Sequence, residues 1–283
     1  VNAELYDSSL SEIKTKSWYL LDSGAQDAFA NMAIDDFLAR EANLDAPVLR
    51  FYHWQPYAIS LGYNQRPEDI DFEKCRANNI DVVRRPTGGR AVLHAEEVTY
   101  AVIIPPKASE WYQLPIKQLY RVIGGALLKG LSYLGIDAGF EEKTSGNVSY
   151  AARTKAAIPC FSASAQYEIL VGGKKLIGSA QRRFDAGILQ HGSILTGLYH
   201  LKLPYFLKLT DSNEEQKIVD YLKKKTTTIS ESLNRQVLYP EVVRAFTRGF
   251  CEQLQISFRN KTLTPEEFTL IHLNRIKYLA IGR

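Results

Sequence analysis

The chain has 283 residues, 45% hydrophobic and 23% charged, enough for one large α/β domain with its own core and ordinary for a soluble globular protein. Its formal charge of +4 is mildly basic and spread out, which suits an acidic protein partner and argues against nucleic acid. No apolar run approaches membrane-spanning length, residues 1–16 lack the apolar core of a secretory signal, and three widely spaced cysteines (Cys75, Cys160, Cys251) fit neither a disulfide framework nor a zinc site. The expectation is a cytoplasmic protein without metal or membrane attachment, in which one cysteine is a possible nucleophile.

Periods of two and of 3.6 residues alternate along the chain, which predicts α/β or α+β architecture. Residues 27–40 read as a helix with Phe29, Met32, Ala33 and Phe37 on one face. Residues 48–52 and 58–61 read as strands around a turn at Pro56, and 68–78 as a helix. Val82 and Val83 begin a short strand that runs into Arg84 and Arg85, followed by a turn at Gly88 and Gly89 and a strand over 91–93. Residues 98–104 alternate, are rich in β-branched side chains, and stop at Pro105 and Pro106. The apolar spacing over 116–134 predicts a long amphipathic helix, and Gly124 and Gly125 within it predict close packing on a sheet.

Residues 141–158 carry little periodicity, and a loop of that length inside a domain is usually functional. Tyr167, Ile169 and Val171 then alternate, Gly172 and Gly173 form a turn, and 174–180 returns, which is a hairpin signature. Residues 188–195 read as another strand. Beyond Pro204 the chain turns helical over 214–222 and 241–254, with Ser230 placed to cap a short helix and Pro240 at a helix start. This organisation predicts a catalytic core over 18–203 and a helical C-terminal extension over 204–283.

Three segments carry chemistry. In RRPTGGRAVLH, residues 84–94, a Gly-Gly turn lets backbone N–H groups approach a ligand, and the flanking arginines offer charged donors. Alone, this is equally a tight hairpin with solvated arginines. In GGKKLIGSAQRR, residues 172–183, Lys175 starts a strand whose Gly178, Ser179 and Ala180 leave room for a ligand, while Lys174 reads as a solvated outward residue. In QHGSIL, residues 190–195, His191 precedes a glycine, and alone it reads as structural.

Together and in this order, the three segments resemble the superfamily of lipoate-protein ligases and octanoyltransferases, which also includes the biotin protein ligases. NMAIDD over 31–36 and SLGYNQ over 60–65 support the resemblance. It implies a mixed β-sheet flanked by helices, with an acyl tunnel at one end. It also implies that Lys175 contacts the acyl carbonyl and that Arg85, Gly88, Gly89, Gly178 and Ser179 line the cavity, with His94 and His191 among the substrate-binding residues. His94 is in addition a candidate base for the acceptor amine, beside a structural reading.

The cysteines separate the branches. Cys75 and Cys251 fall in helical, core-like patterns, whereas Cys160 follows Pro159 at the end of the polar loop. The Cys160–Phe161 pair upstream of Lys175, and TTTISE over 226–231, resemble the octanoyltransferases whose nucleophile precedes the lysine. In the other branch the cysteine lies near the His-Gly strand, where this chain has Gly192, Ser193 and Ile194. The resemblance thus implies an octanoyl-[acyl carrier protein]:protein N-octanoyltransferase. It would pass octanoyl from acyl carrier protein through a Cys160 thioester to the lysine of a lipoyl domain, such as the glycine cleavage H protein, without a cofactor. An ATP-dependent lipoate ligase, an octanoyl amidotransferase acting between lipoyl domains, and a non-catalytic acyl-binding subunit are the competing readings.

Overall fold

The computed structural model describes residues 16–140, 168–209 and 211–279. In chain order its first part comprises β1 (Ser17–Gln26), α1 (Ala28–Arg40), β2 (Val48–Trp54), β3 (Ala58–Leu61), α2 (Phe72–Ala77), β4 (Asp81–Arg84), β5 (Val92–His94), β6 (Glu97–Ile104), α3 (Ser109–Tyr112), α4 (Ile116–Tyr133) and β7 (Gly139–Phe140). Then follow β8 (Ile169–Val171), β9 (Lys174–Phe184), β10 (Gly187–Leu195), α5 (Ser212–Lys225), α6 (Ile229–Leu233), α7 (Tyr239–Leu254), β11 (Ser257–Asn260) and α8 (Pro265–Leu279).

Eight strands form a mixed sheet in the order β11-β1-β2-β6-β10-β9-β8-β7, and β4-β3-β5 form a small second sheet. β6 and β10 lie at the centre of the large sheet and are buried along their whole length. One face of that sheet carries Phe51 and Tyr100, packed under α4 and α7 with Trp18, Trp111, Phe246 and Phe250. The other face is covered by α1, whose Met32 and Phe37 meet Tyr52, Trp54 and Ile103. The fold is therefore the expected mixed sheet flanked by helices. Among the described residues no helix is long and apolar enough to cross a membrane.

Local differences from expectation have physical causes. The helix predicted over 68–78 is a 3₁₀ turn, Pro67–Asp69, followed by α2. Ile70 is extended and fully buried in the core of the small sheet, and the Asp71 side chain caps α2 by accepting from the Lys74 N–H. The cap of α6 is Thr228 rather than Ser230, with its hydroxyl accepting from the Glu231 N–H at 3.1 Å. Gly124 does sit against a sheet element, since a Cβ there would overlap the Phe140 ring of β7. Further along the same helix, Gly130 meets Gly249 of α7, and the two backbones touch.

The chain beyond Leu203 is mostly helical but is not set apart from the core. β11 pairs in parallel with β1 at the edge of the large sheet, from Ser17 opposite Ser257 to Leu20 opposite Asn260. α7 packs Val242, Phe246 and Phe250 into the same hydrophobic layer as α4, and Thr226 bridges to Lys175 at the start of β9.

Candidate active site

A cavity of about 470 Å³ opens between the two sheets, within the size range of small-molecule sites. Arg85, Gly88, Gly89, His94, Lys175, Gly178, Ser179 and His191 all line it, so the structure brings together every expected site residue that it describes. Met32 of the NMAIDD segment and Ser60 of SLGYNQ join them. Cys160 and Phe161, with the loop over 141–158 and Tyr167, lie outside the described residues. The other two cysteines are away from the cavity wall. Burial pushes the Cys75 thiol up to about 12 and raises that of Cys251, which disfavours the thiolate at both.

The Gly-Gly loop is held from within. Arg85 donates from Nη1 to the carbonyl and hydroxyl of Ser60, both at 3.0 Å, from Nη2 to the carbonyls of Gly88 and Arg90, both at 2.8 Å, and from Nε to Gly88. Arg84 donates to the carbonyls of Gly62, Tyr63 and Gln65. The arginines that the sequence offered as ligand donors thus organise the backbone of two loops. Gly89 has φ +104°, and its carbonyl packs so closely on Gly62 that a Cβ on Gly62 would overlap it. Gly88 faces open space.

Both cavity histidines are oriented by carboxylates. The His94 Nδ1 lies 2.8 Å from Glu97 and its Nε2 lies 2.7 Å from the Ser60 hydroxyl, while its ring stacks on Trp54 at 4.1 Å. Ser60 also accepts from Arg85, so its hydroxyl links the arginine to the His94 ring. Burial works against the Glu97 carboxylate, but His94, Ser193 and Thr99 outweigh it and hold the group below the usual range. His191 sits between Thr87, 2.6 Å from Nε2, and Asp35, 2.9 Å from Nδ1. Burial holds His191 below its ordinary value despite Asp35. Burial likewise opposes charge on Asp35, yet Arg50 and His191 together keep it low. Arg50 is fully buried and donates to Asp35 at 2.6 Å, to the Asn31 carbonyl and side chain, and to Ser23. Within NMAIDD, Asn31 and Asp35 anchor Arg50 beneath the cavity and Asp35 orients His191 in its wall, while Met32 lines it.

The opposite wall is β9. Lys174 is exposed and Lys175 is 5% exposed, as strand alternation requires. The Lys175 ammonium lies 2.5 Å from a Glu168 carboxylate oxygen. Ser179 is held by the Tyr100 hydroxyl at 2.7 Å, whose pKa burial pushes up to about 12. Gly192 fits under this strand because a Cβ there would strike the Gly178 carbonyl and the Tyr100 ring.

Sequence reasoning missed Glu168, Glu97 and Tyr100. A signal for Glu168 was present. Closing the hairpin on Gly172 and Gly173 sets Leu170 opposite Lys175 and leaves an acidic residue just before β8; a bulge between Ile169 and Leu170 shifts the pairing to Ile169 opposite Ile177, and Glu168 reaches the lysine there. Among the described residues no group of three His, Cys, Asp or Glu side chains could hold a metal.

Residues 27–251 match the lipoyl protein ligase A/B catalytic domain. The chain belongs to this family. Family members similar to it include the octanoyltransferase LipM of Geobacillus kaustophilus, 37% identical over 265 residues, covering 92% of this chain and 95% of that protein. The octanoyltransferase LipM of Bacillus subtilis is 35% identical over 274 residues, covering 95% and 98%. A crystal structure of lipoate-protein ligase A bound with ATP aligns with a TM-score of 0.69 at 25% identity, covering 92% of this chain and 94% of that one. The fold is shared as well with a bi-partite lipoate protein ligase from Thermoplasma acidophilum, at a TM-score of 0.73, 23% identity and 92% coverage of both chains.

Proposed function

We propose that this chain is an octanoyltransferase of protein lipoylation, acting in the cytoplasm. It moves octanoyl from octanoyl-acyl carrier protein to the lysine of a lipoyl domain, such as the glycine cleavage H protein, through a thioester on Cys160. One observation carries the reading. In a chain 35–38% identical to LipM octanoyltransferases over at least nine-tenths of its length, a buried ammonium, Lys175, lines a cavity of about 470 Å³ and follows Cys160 by fifteen residues.

The chemistry follows from the donor. A thioester is already activated, and a thiolate is a nucleophile of matching leaving-group strength. The Cys160 thiolate attacks the carbonyl, the carrier thiolate leaves, and the acyl group rests on Cys160. The neutral acceptor amine then attacks the new thioester, the amide forms, Cys160 leaves as thiolate, and the proton lost by the nitrogen passes to solvent. In both steps negative charge develops on the carbonyl oxygen, and the Lys175 ammonium stabilises it. The Gly88–Gly89 turn brings backbone close to the bound acyl group, while Arg85, His94 and His191 keep that wall in shape.

Incubation with octanoyl-acyl carrier protein, without nucleotide, tests the proposal by intact mass. The expected result is one octanoyl adduct on the wild type, on Cys75→Ala and on Cys251→Ala, none on Cys160→Ala, and transfer to an added lipoyl domain. If free octanoate with ATP is the better donor and Cys160→Ala still modifies the acceptor, the chain is a ligase. If only an octanoylated lipoyl domain serves as donor, it is an amidotransferase.

A further inference from the structure

We propose that Glu168 is the positioning residue for the Lys175 ammonium and acts on the reaction only through that lysine. The inference rests on the role given to Lys175 above and deepens it.

The backbone of Lys175 is fixed from both sides. Leu170 of β8 lies opposite it, and the Thr227 N–H donates to its carbonyl at 3.0 Å from the C-terminal part of the chain. What the backbone leaves undetermined is the direction of a four-carbon stem ending in a point charge. Glu168 supplies that direction: its Oε1 lies 2.5 Å from Nζ, and the two side chains are 8% and 5% exposed. An ammonium has three N–H donors, and one fixed on a carboxylate restricts where the others point. The pairing also keeps charge tolerable, since a buried ammonium without a counter-charge is strongly disfavoured.

The surroundings single out this carboxylate. Among the described residues, Glu168 is the one acidic side chain lining the cavity. The cavity histidines are engaged at both ring nitrogens, His94 by Ser60 and Glu97, and His191 by Thr87 and Asp35. Arg85 is committed to loop carbonyls and Ser60. From α5, Tyr221 faces the pair closely enough that Glu168 adds to the effect of burial in raising its phenol. In the proposed role no proton passes between Glu168 and Lys175; the carboxylate orients and the ammonium acts.

The test is a cycle of Glu168→Gln, Lys175→Met and the double variant. Each is read by single-turnover acylation, with whichever donor the wild type uses, and by denaturant midpoint. Glu168→Gln should slow acylation on the order of 10- to 100-fold with little change in donor KM, as expected for a displaced reacting group. Lys175→Met should be slower still, and adding Glu168→Gln to it should slow it no further. The double variant should also be more stable than Lys175→Met alone, because the amide removes a buried carboxylate that has lost the ammonium beside it. Should Glu168→Gln fold poorly, Glu168→Asp keeps the charge one methylene short and should still lose rate. Wild-type rates in both Glu168 variants, or a double variant clearly slower than Lys175→Met, would overturn the proposal. A wild type that uses only octanoate with ATP would instead overturn the octanoyltransferase reading, and the ratios among the variants would still decide the role of Glu168.

Discussion

Among the described residues two buried ion pairs involve a lysine or an arginine, Asp35–Arg50 at 2.6 Å and Glu168–Lys175 at 2.5 Å, and they face different surroundings. Arg50 donates to Asp35, Asn31 and Ser23 and lies 3.9 Å over the Tyr52 ring, while the Tyr52 hydroxyl and His191 also bond to Asp35. That network holds α1, β2 and β10 together beneath the cavity, and no member of the Asp35–Arg50 pair lines it. Both members of the second pair line the cavity, on a strand whose next residues are small. Burial and charge alone do not distinguish a fastener from a reactive group; the distinction lies in whether the charged atom faces protein or an open volume.

The largest effect should fall on the second pair. Lys175→Ala should lower the acylation rate by about 10²-fold or more, as for loss of an oxyanion-stabilising group, whereas Lys174→Ala should leave it unchanged. Equal losses in stopped acylation assays would mean the cavity does not select between the two lysines. Next, Arg50→Met should cost about 3–5 kcal/mol in urea denaturation by stranding the Asp35 carboxylate. A cost below about 1 kcal/mol would erase the contrast between fastener and reactive group.

A smaller effect is expected from pH. Burial holds His191, His200 and His53 below the ordinary value of 6.5, so the unfolded chain binds these protons more readily. Stability should therefore be full above about pH 6.5 and fall as pH drops through that value, by at most about 1.4 kcal/mol per pH unit per histidine. Asp35, held below 3.8, contributes a loss only at still lower pH. Denaturant midpoints between pH 8 and 5.5 should decline less in His191→Gln than in the wild type; an identical decline would remove His191 from the account. The smallest change, about 1 kcal/mol, is expected for Thr228→Ala, which removes the cap of α6.

Much of this was legible in the sequence because it is local. Alternation in 98–104, the Gly172–Gly173 turn and the 3.6-residue period over 116–134 each specify an element from its own residues, and the motif segments all end at one cavity. What was not legible depends on partners far along the chain. Nothing near Arg50 in sequence announces Asp35, and nothing near β1 announces that Ser257 will pair with Ser17. The split of 68–78 was hidden because Ile70 belongs to a core completed by Leu203 and Phe206. The arginines before the Gly-Gly turn were legible as charged donors, but their acceptors, carbonyls of their own loop and of residues 60–65, come into place only once both segments are folded.

The parallel pairing of β1 with β11 has a consequence for synthesis. During translation, the strand that opens the sheet emerges more than two hundred residues before the strand that closes its edge, and the Lys175 carbonyl emerges about fifty residues before the Thr227 N–H that secures it. Pairings so distant in sequence form late, because the intervening chain must first be ordered. The sheet edge at β1 must wait on the ribosome, open to other strands, until residue 260 has emerged.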